Sequence, residues 1–350
     1  MAITVQKGVA VLAADSDTVA ITSVDLARSF VLIDASTDST TGSSGYQSWG
    51  VVGTLTDSTT LTLQRDGGVA DAEVTWSVVT CDQGEFVVVA RDSVIIASGD
   101  TTATDNVTEC DLGRTMLIYG SRGNFATSAS RLGFATGKFN SSTQLEFQRG
   151  STSTTRTISH YEAVEWSLQS GVRVTAGVAD GSSLTGVTAQ TSPHGATVTT
   201  SDTWLYAQAR HESNGLEQCS VRVRFDASDI ILKRYDTTST AYNSHVAWQL
   251  VTFPADCCEL RTPSAASGDT TKDTTPTLVM DTAATIAWQT NNCNGTGTAF
   301  GRNAWNVQVL NSTTIRQKRS YSGQASESAI SICDFSLLSN SYPALFGGHT

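Results

Sequence analysis

Seven cysteines and five histidines are the residues of this chain best suited to hold a metal ion or carry a nucleophile. The cysteines are Cys81, Cys110, Cys219, Cys257, Cys258, Cys293 and Cys333. An odd count, no CxxC spacing and no secretory leader fit reduced thiols better than a disulfide framework. The vicinal pair Cys257 and Cys258 reads as plain linker thiols, with metal or redox work as the alternative. His160, His194, His211, His245 and His349 form no HExxH motif, because His211 and Glu212 are not followed by a second His. Gly42 and Gly45 flank two serines rather than the single elbow serine of a hydrolase. No catalytic, cofactor-binding or metal-ligating residue is assigned on these patterns, no cofactor is expected, and the chain reads as a non-enzyme.

The carboxylates point the same way. Asp15 with Asp17, and Asp100 with Asp105, are fragments of calcium loops that lack the remaining ligands, so solvated turns are expected. Asn106, Asn140, Asn294 and Asn311 open glycosylation triplets that a Ser/Thr-rich chain produces by chance. With 33 acidic against 22 basic residues, the formal charge of −11 argues against phosphate-backbone binding, so nucleic acid is not an expected partner. The short run of Arg316, Lys318 and Arg319 is explained as the exposed end of a strand. No stretch of about 18 apolar residues occurs, and the N-terminus lacks an apolar leader core. Neither a membrane span nor a signal peptide is expected, and folding should occur in the cytoplasm.

The elements that would position any site are strands. Over residues 57–79, Leu61, Leu63 and Arg65 alternate with Thr60, Thr62 and Gln64, a polar turn follows, and Val74, Trp76 and Val78 alternate again. The design returns with Leu145, Phe147, Arg149 and then Val164, Trp166, Leu168. It returns again with Ile230, Leu232, Arg234 and then Val246, Trp248, Leu250. A degenerate fourth copy has Ile315, Arg319 and then Ile330 and Ile332. Arg65, Arg149, Arg234 and Arg319 recur at spacings of 84, 85 and 85 residues. A second marker agrees, DLARSFVL from Asp25 against DLGRTMLI from Asp111; Trp204 and Ile286 begin the corresponding later runs, without the Asp or the Arg.

The predicted fold is all-β, four tandem small β-sandwich or barrel-like repeats of about 85 residues, since that period exceeds solenoid units and matches a small sandwich. The boundaries are 1–80, 81–169, 170–253 and 254–335, with 336–350 a C-terminal tail. Domains in series would present their loops, at residues 35–48, 120–130, 210–217 and 290–299, on one side of a rod. Trp76, Trp166 and Trp248 are expected to pack in cores rather than stack on sugars. Each repeated Arg is expected to snorkel over its core or to lie against the partner-strand Trp.

The segments STTLTLQR, STQLEFQR, VTWSVV, VEWSL and VAWQLV, together with SVDLARSFVLI, resemble repeats found in virion proteins of tailed bacteriophages. The resemblance covers the first two repeats best and the fourth least, and it brings no catalytic residues. It implies a structural part of a particle, a capsid decoration, collar or tail-associated protein, located in the virion and made in the host cytoplasm. Its partners would be other copies of itself and other virion proteins. The alternative from the binding class is an adhesin or receptor-binding array recognising a surface glycan through the repeat loops. A polysaccharide-degrading enzyme has no sequence feature in its favour.

Overall fold

A computed structural model describes residues 3–37, 50–67, 70–123, 134–181, 189–211, 221–234, 244–293, 305–319 and 325–340. The protein is all-β and built of repeats. The first repeat contains β1 (Ile3–Leu12), β2 (Ser16–Ala20), β3 (Ser29–Thr37), β4 (Val52–Asp57), β5 (Thr60–Gln64) and β6 (Ala72–Cys81). The second contains β7 (Phe86–Ile96), β8 (Thr102–Asn106), β9 (Thr115–Arg122), β10 (Ala135–Ser141), β11 (Gln144–Arg149) and β12 (Thr157–Trp166). The third contains β13 (Arg173–Gly181), β14 (Gln190–Pro193), β15 (Thr203–His211), β16 (Arg222–Phe225), β17 (Asp229–Lys233) and β18 (Ser244–Thr252). In the fourth the first strand is split into β19 (Cys258–Arg261) and β20 (Ser264–Ala265), followed by β21 (Thr271–Thr274), β22 (Thr285–Cys293), β23 (Asn306–Asn311), β24 (Thr314–Lys318) and β25 (Ser326–Asp334).

One topology serves all four. The first, sixth and third strands form an inner sheet in that order, and the second, fifth and fourth form an outer sheet, all antiparallel. The sequence sets the turns. Asp57 accepts from the amide and hydroxyl of Thr59, and Asn311 does the same for Thr313, closing the hairpins between the fourth and fifth strands. Asn311 is thus a turn residue. Before the third strand, Asp25 caps the amide of Ala27, Asp111 that of Gly113 and Asp281 that of Ala283. Asp281 restores to the fourth repeat the Asp that its sequence seemed to lack, because Thr285 bonds back to its carbonyl as Ser29 does to Asp25.

The repeats do not run in series as a rod. The fourth strand of each packs against the inner sheet of the next, β4 on β9 and β12, β10 on β15 and β18, β16 on β22 and β25, and β23 on β3 and β6. The last contact closes the circle, so the chain folds back on itself as a head-to-tail ring of four. Backbone and side-chain bonds seal the closure: Val5 N donates to Ala283 O at 2.7 Å, and Lys7 Nζ to Thr285 O at 3.2 Å.

Each sixth strand therefore faces two cores. Its alternate residues point into the private sandwich on one side and into a shared centre on the other. Phe30, Met116, Trp204 and Ile286 on the third strands lie opposite Val79, Val164, Val251 and Cys333 on the sixth, and all eight belong to one continuous buried cluster. A further tier of Cys81, Trp166, Phe253 and Phe335 closes the base of that cluster. Four sheets buried on both faces make domain separation expensive, since removing a large apolar side chain from such a core costs about 3–5 kcal/mol.

Candidate functional site

Along the shared axis the third strands change character. Above Leu32, Ile118, Tyr206 and Trp288 the next inward positions are Asp34, Gly120, Gln208 and Thr290, and these four bound a cavity of about 450 Å³. All four repeats contribute to its wall. The third strands all run toward this end, so the chain leaves them there for the stretches after Thr37, Arg122, His211 and Cys293. Most of the expected loop residues, 38–48, 124–130, 212–217 and 294–299, lie outside the described residues, as do Cys219, His349 and the tail from 341 onward.

Around the cavity, side chains of one repeat serve the open strand edge of its neighbour. The third strand is the edge of each inner sheet and carries unpaired backbone groups. Glu162 Oε2 accepts from Val31 N at 2.6 Å. Gln249 takes the same place one repeat on, accepting from Leu117 N at 2.6 Å and donating to Leu117 O at 2.5 Å. Ser331 Oγ accepts from Leu205 N at 2.8 Å. The three are equivalent by register, opposite Ile118, Tyr206 and Trp288 on their own sheets. A side-chain amide such as Gln249 reproduces what a paired strand would supply.

The ionisable groups at the cavity are engaged in the same seam. Glu162 also pairs with Arg91 at 2.6 Å, and Arg91 donates to the carbonyls of Leu26 and Ser29 in the first repeat. Burial pushes the Glu162 carboxyl up, and the Arg91 guanidinium opposes that rise. Asp34 receives Gln289 Nε2 at 3.0 Å and Val307 N at 3.1 Å from the fourth repeat. Burial outweighs those bonds and raises its carboxyl to about 7. His160 accepts from Arg122 Nε and faces Thr54 Oγ1, each at 3.3 Å, so the proton sits on Nδ1 and points to the threonine. Burial first, and then Arg122, lower its pKa to about 4, which leaves the ring neutral at pH 7. Arg122 is ion-paired with Asp66 of the first repeat.

The repeat-defining residues fall in two groups. Arg65, Arg149, Arg234 and Arg319 are buried, and three of them show how the period arises. Arg65 donates to the carbonyls of Ala13, Ala14 and Ala70, and Arg149 to those of Ala97, Asp100 and Thr155. Arg319 donates to those of Asp269, Ala266 and Ser267. Each clamps the turn between the first and second strands of its repeat, so the guanidinium neither snorkels to water nor rests on a partner-strand Trp. Arg319 does lie 4.5 Å over an indole, but that of Trp305, just before β23.

The tryptophans are not equivalent. Trp76 lies opposite Gly8 and Ile33, and Trp248 opposite Gly177 and Ala207, inside private cores. By the same register the second repeat has Tyr161 there and the fourth has Ile330, facing Tyr119 and Gln289. Trp166 lies five residues beyond Tyr161 and belongs to the shared core with Phe86, Phe253 and Phe335. Cys81, Phe253 and Phe335 lie the same five residues beyond Trp76, Trp248 and Ile330, so Trp166 holds their position, on the opposite face of the strand from Tyr161.

Cys257 and Cys258 are not linker thiols; they are buried at the start of the fourth repeat beside Cys333. Asp15, Asp17, Asp100 and Asp105 belong to no cluster of three potential ligands among the described residues. His194 is a core histidine, donating to Asp226 O at 3.1 Å. The cavity groups escaped the sequence reading because Glu162, His160 and Asp34 stand at different repeat positions, without a local motif. No protein-family model matches the chain, and no curated protein matches it. Among the described residues no helix is long and apolar enough to cross a membrane.

Proposed function

We propose that the chain is a non-enzymatic structural component of a tailed-phage particle, a capsid decoration, collar or tail-associated protein, acting through contacts with its own copies and with other virion proteins. The observation that carries this reading is the closed ring. Four sandwiches joined edge to face about one core make a block with fixed faces, suited to setting distances on a particle. The carboxylates at the cavity, Asp34 and Glu162, bond across repeat boundaries, a use that favours architecture over turnover. The sequence resemblance to virion repeats supplies the particle. Cryo-electron microscopy of intact phage particles tests it: the ring is expected in multiple symmetric copies on head, neck or tail, and its absence from particles overturns the reading.

A second reading, recognition of a surface glycan, is favoured by the common direction of the third strands, which lead the chain out around the cavity end in all four repeats. Replacing residues 38–48 and 212–217 with Gly/Ser segments would then abolish glycan binding while leaving the unfolding midpoint in place. Unchanged glycan binding would reject it.

A further inference from the structure

At the base of the shared core, where the fourth repeat meets the third, three thiols converge. Adjacent residues of an extended strand point to opposite faces, so Cys257 and Cys258 would ordinarily diverge. Here Cys257 N turns back to Ala255 O at 2.8 Å, a three-residue turn that brings its side chain round beside its neighbour. Cys258 opens β19 directly opposite Cys333 on β25. The backbone is pinned on both sides, by Cys258 N to Ser201 O at 2.7 Å and by Asp334 N to Cys257 O at 2.8 Å. Cys257 Sγ lies 3.8 Å from Cys258 Sγ and 4.0 Å from Cys333 Sγ. All three thiols are free and buried, with their sulfurs within 4.8 Å of one another.

We propose that Cys257, Cys258 and Cys333 form a buried trigonal site for a soft monovalent metal ion, Cu(I). Three sulfurs in a plane around one ion, each at a metal–sulfur distance of about 2.3 Å, stand about 4.0 Å apart, which matches the two distances from Cys257 Sγ, and the third pair lies within 4.8 Å. Soft thiolate donors select Cu(I), Zn(II) or iron–sulfur clusters. A structural Zn(II) takes four ligands, and among the described residues no fourth His, Cys or carboxylate joins the group. The adjacent Asp334 is already engaged, its two oxygens accepting from Asp281 N and Ser336 N. Binding breaks S–H bonds and sends the protons to solvent as Cu–S bonds form, with no change of oxidation state.

The test uses the full chain, purified without oxygen and titrated with Cu(I) as its acetonitrile complex against the chelator bicinchoninate. One equivalent is expected to leave the chelator, and X-ray absorption of the loaded protein should show three sulfurs at about 2.3 Å. Cys333→Ala should remove one sulfur from that shell and weaken binding by about 10-fold or more, whereas Cys110→Ala should change neither. Copper that stays on the chelator, a shell of nitrogen or oxygen, or uptake of Zn(II) in place of Cu(I) would overturn the proposal. The absorption measurement uses the unaltered chain, so it decides the matter even where a cysteine variant fails to fold.

Discussion

Trp248 and Trp166 sit on equivalent strands of the third and second repeats, yet they belong to different cores. Trp248 is sealed within one sandwich, its indole pressed on the backbone of Gly177, where an added Cβ would come within 2.6 Å of Cζ2. Trp166 lies in the shared centre, edge-on to Phe86 of its own repeat and Phe253 of the next, and tilted against Phe335 of the fourth. A sixth strand that is buried on both faces can hold a large aromatic on either. What the pair teaches is that in a two-sided sheet residue type marks burial, while register decides which core receives it.

Breaking the comparison begins at the centre. Trp166→Ala should cost about 3–5 kcal/mol and weaken all four repeats together, read as loss of hydrogen-exchange protection across β6, β12, β18 and β25. Trp248→Ala should cost a similar amount, with protection lost mainly in β13, β15 and β18. If the two variants gave the same exchange map, the distinction between private and shared cores would fail.

Gly177→Ala should cost about 1–3 kcal/mol, because the new methyl meets a fixed indole. At the matching place in the second repeat Asp92 stands opposite Tyr161, so Asp92→Ala should stay within about 0.5 kcal/mol. Denaturant midpoints of the two variants measure the contrast. At the repeat boundaries, Gln249→Ala leaves both backbone groups of Leu117 without their partner and should cost about 1–3 kcal/mol. Ser331→Ala frees one amide only and should cost less.

The smallest effect is a pH dependence in which two cavity groups oppose each other. Asp34, raised to about 7, holds a proton that the unfolded chain releases, so its contribution is full below about 4 and is lost as pH rises through 7. His160, lowered to about 4, contributes above about 6.5 and loses that contribution as pH falls toward 4. Between these limits the slopes largely cancel. Asp34→Asn removes one of them, so the variant should gain stability relative to the parent between pH 5 and pH 8. A difference that stays constant with pH would place the Asp34 carboxyl in water.

The period of 84 to 85 residues was legible because the first, second and fourth repeats each use one buried guanidinium to satisfy the carbonyls of the first turn, and Arg is the side chain whose rigid fork can do so. The aspartates before the third strands were legible in two repeats and hidden in the fourth, where the cap of Asp281 survives without the flanking Leu and Arg. The equivalence of Trp166 with Trp76 was misread. Alternation fixes which residues share a face, but residue type does not fix register: Trp166 stands five residues past Tyr161, and that odd offset places it on the other face of the strand.

Strand content, the hairpin turns and the repeat were determined by the chain itself, since period-two alternation, Asx turns and a recurring Arg act over a few residues. Closure into a ring was decided only by the tertiary structure. It rests on Val5 meeting Ala283, on Asp34 meeting Gln289 and on Lys318 meeting Glu73. Contacts at such separations depend on the angle each interface adds around the axis, and no local pattern of residues records whether four such angles sum to a full turn.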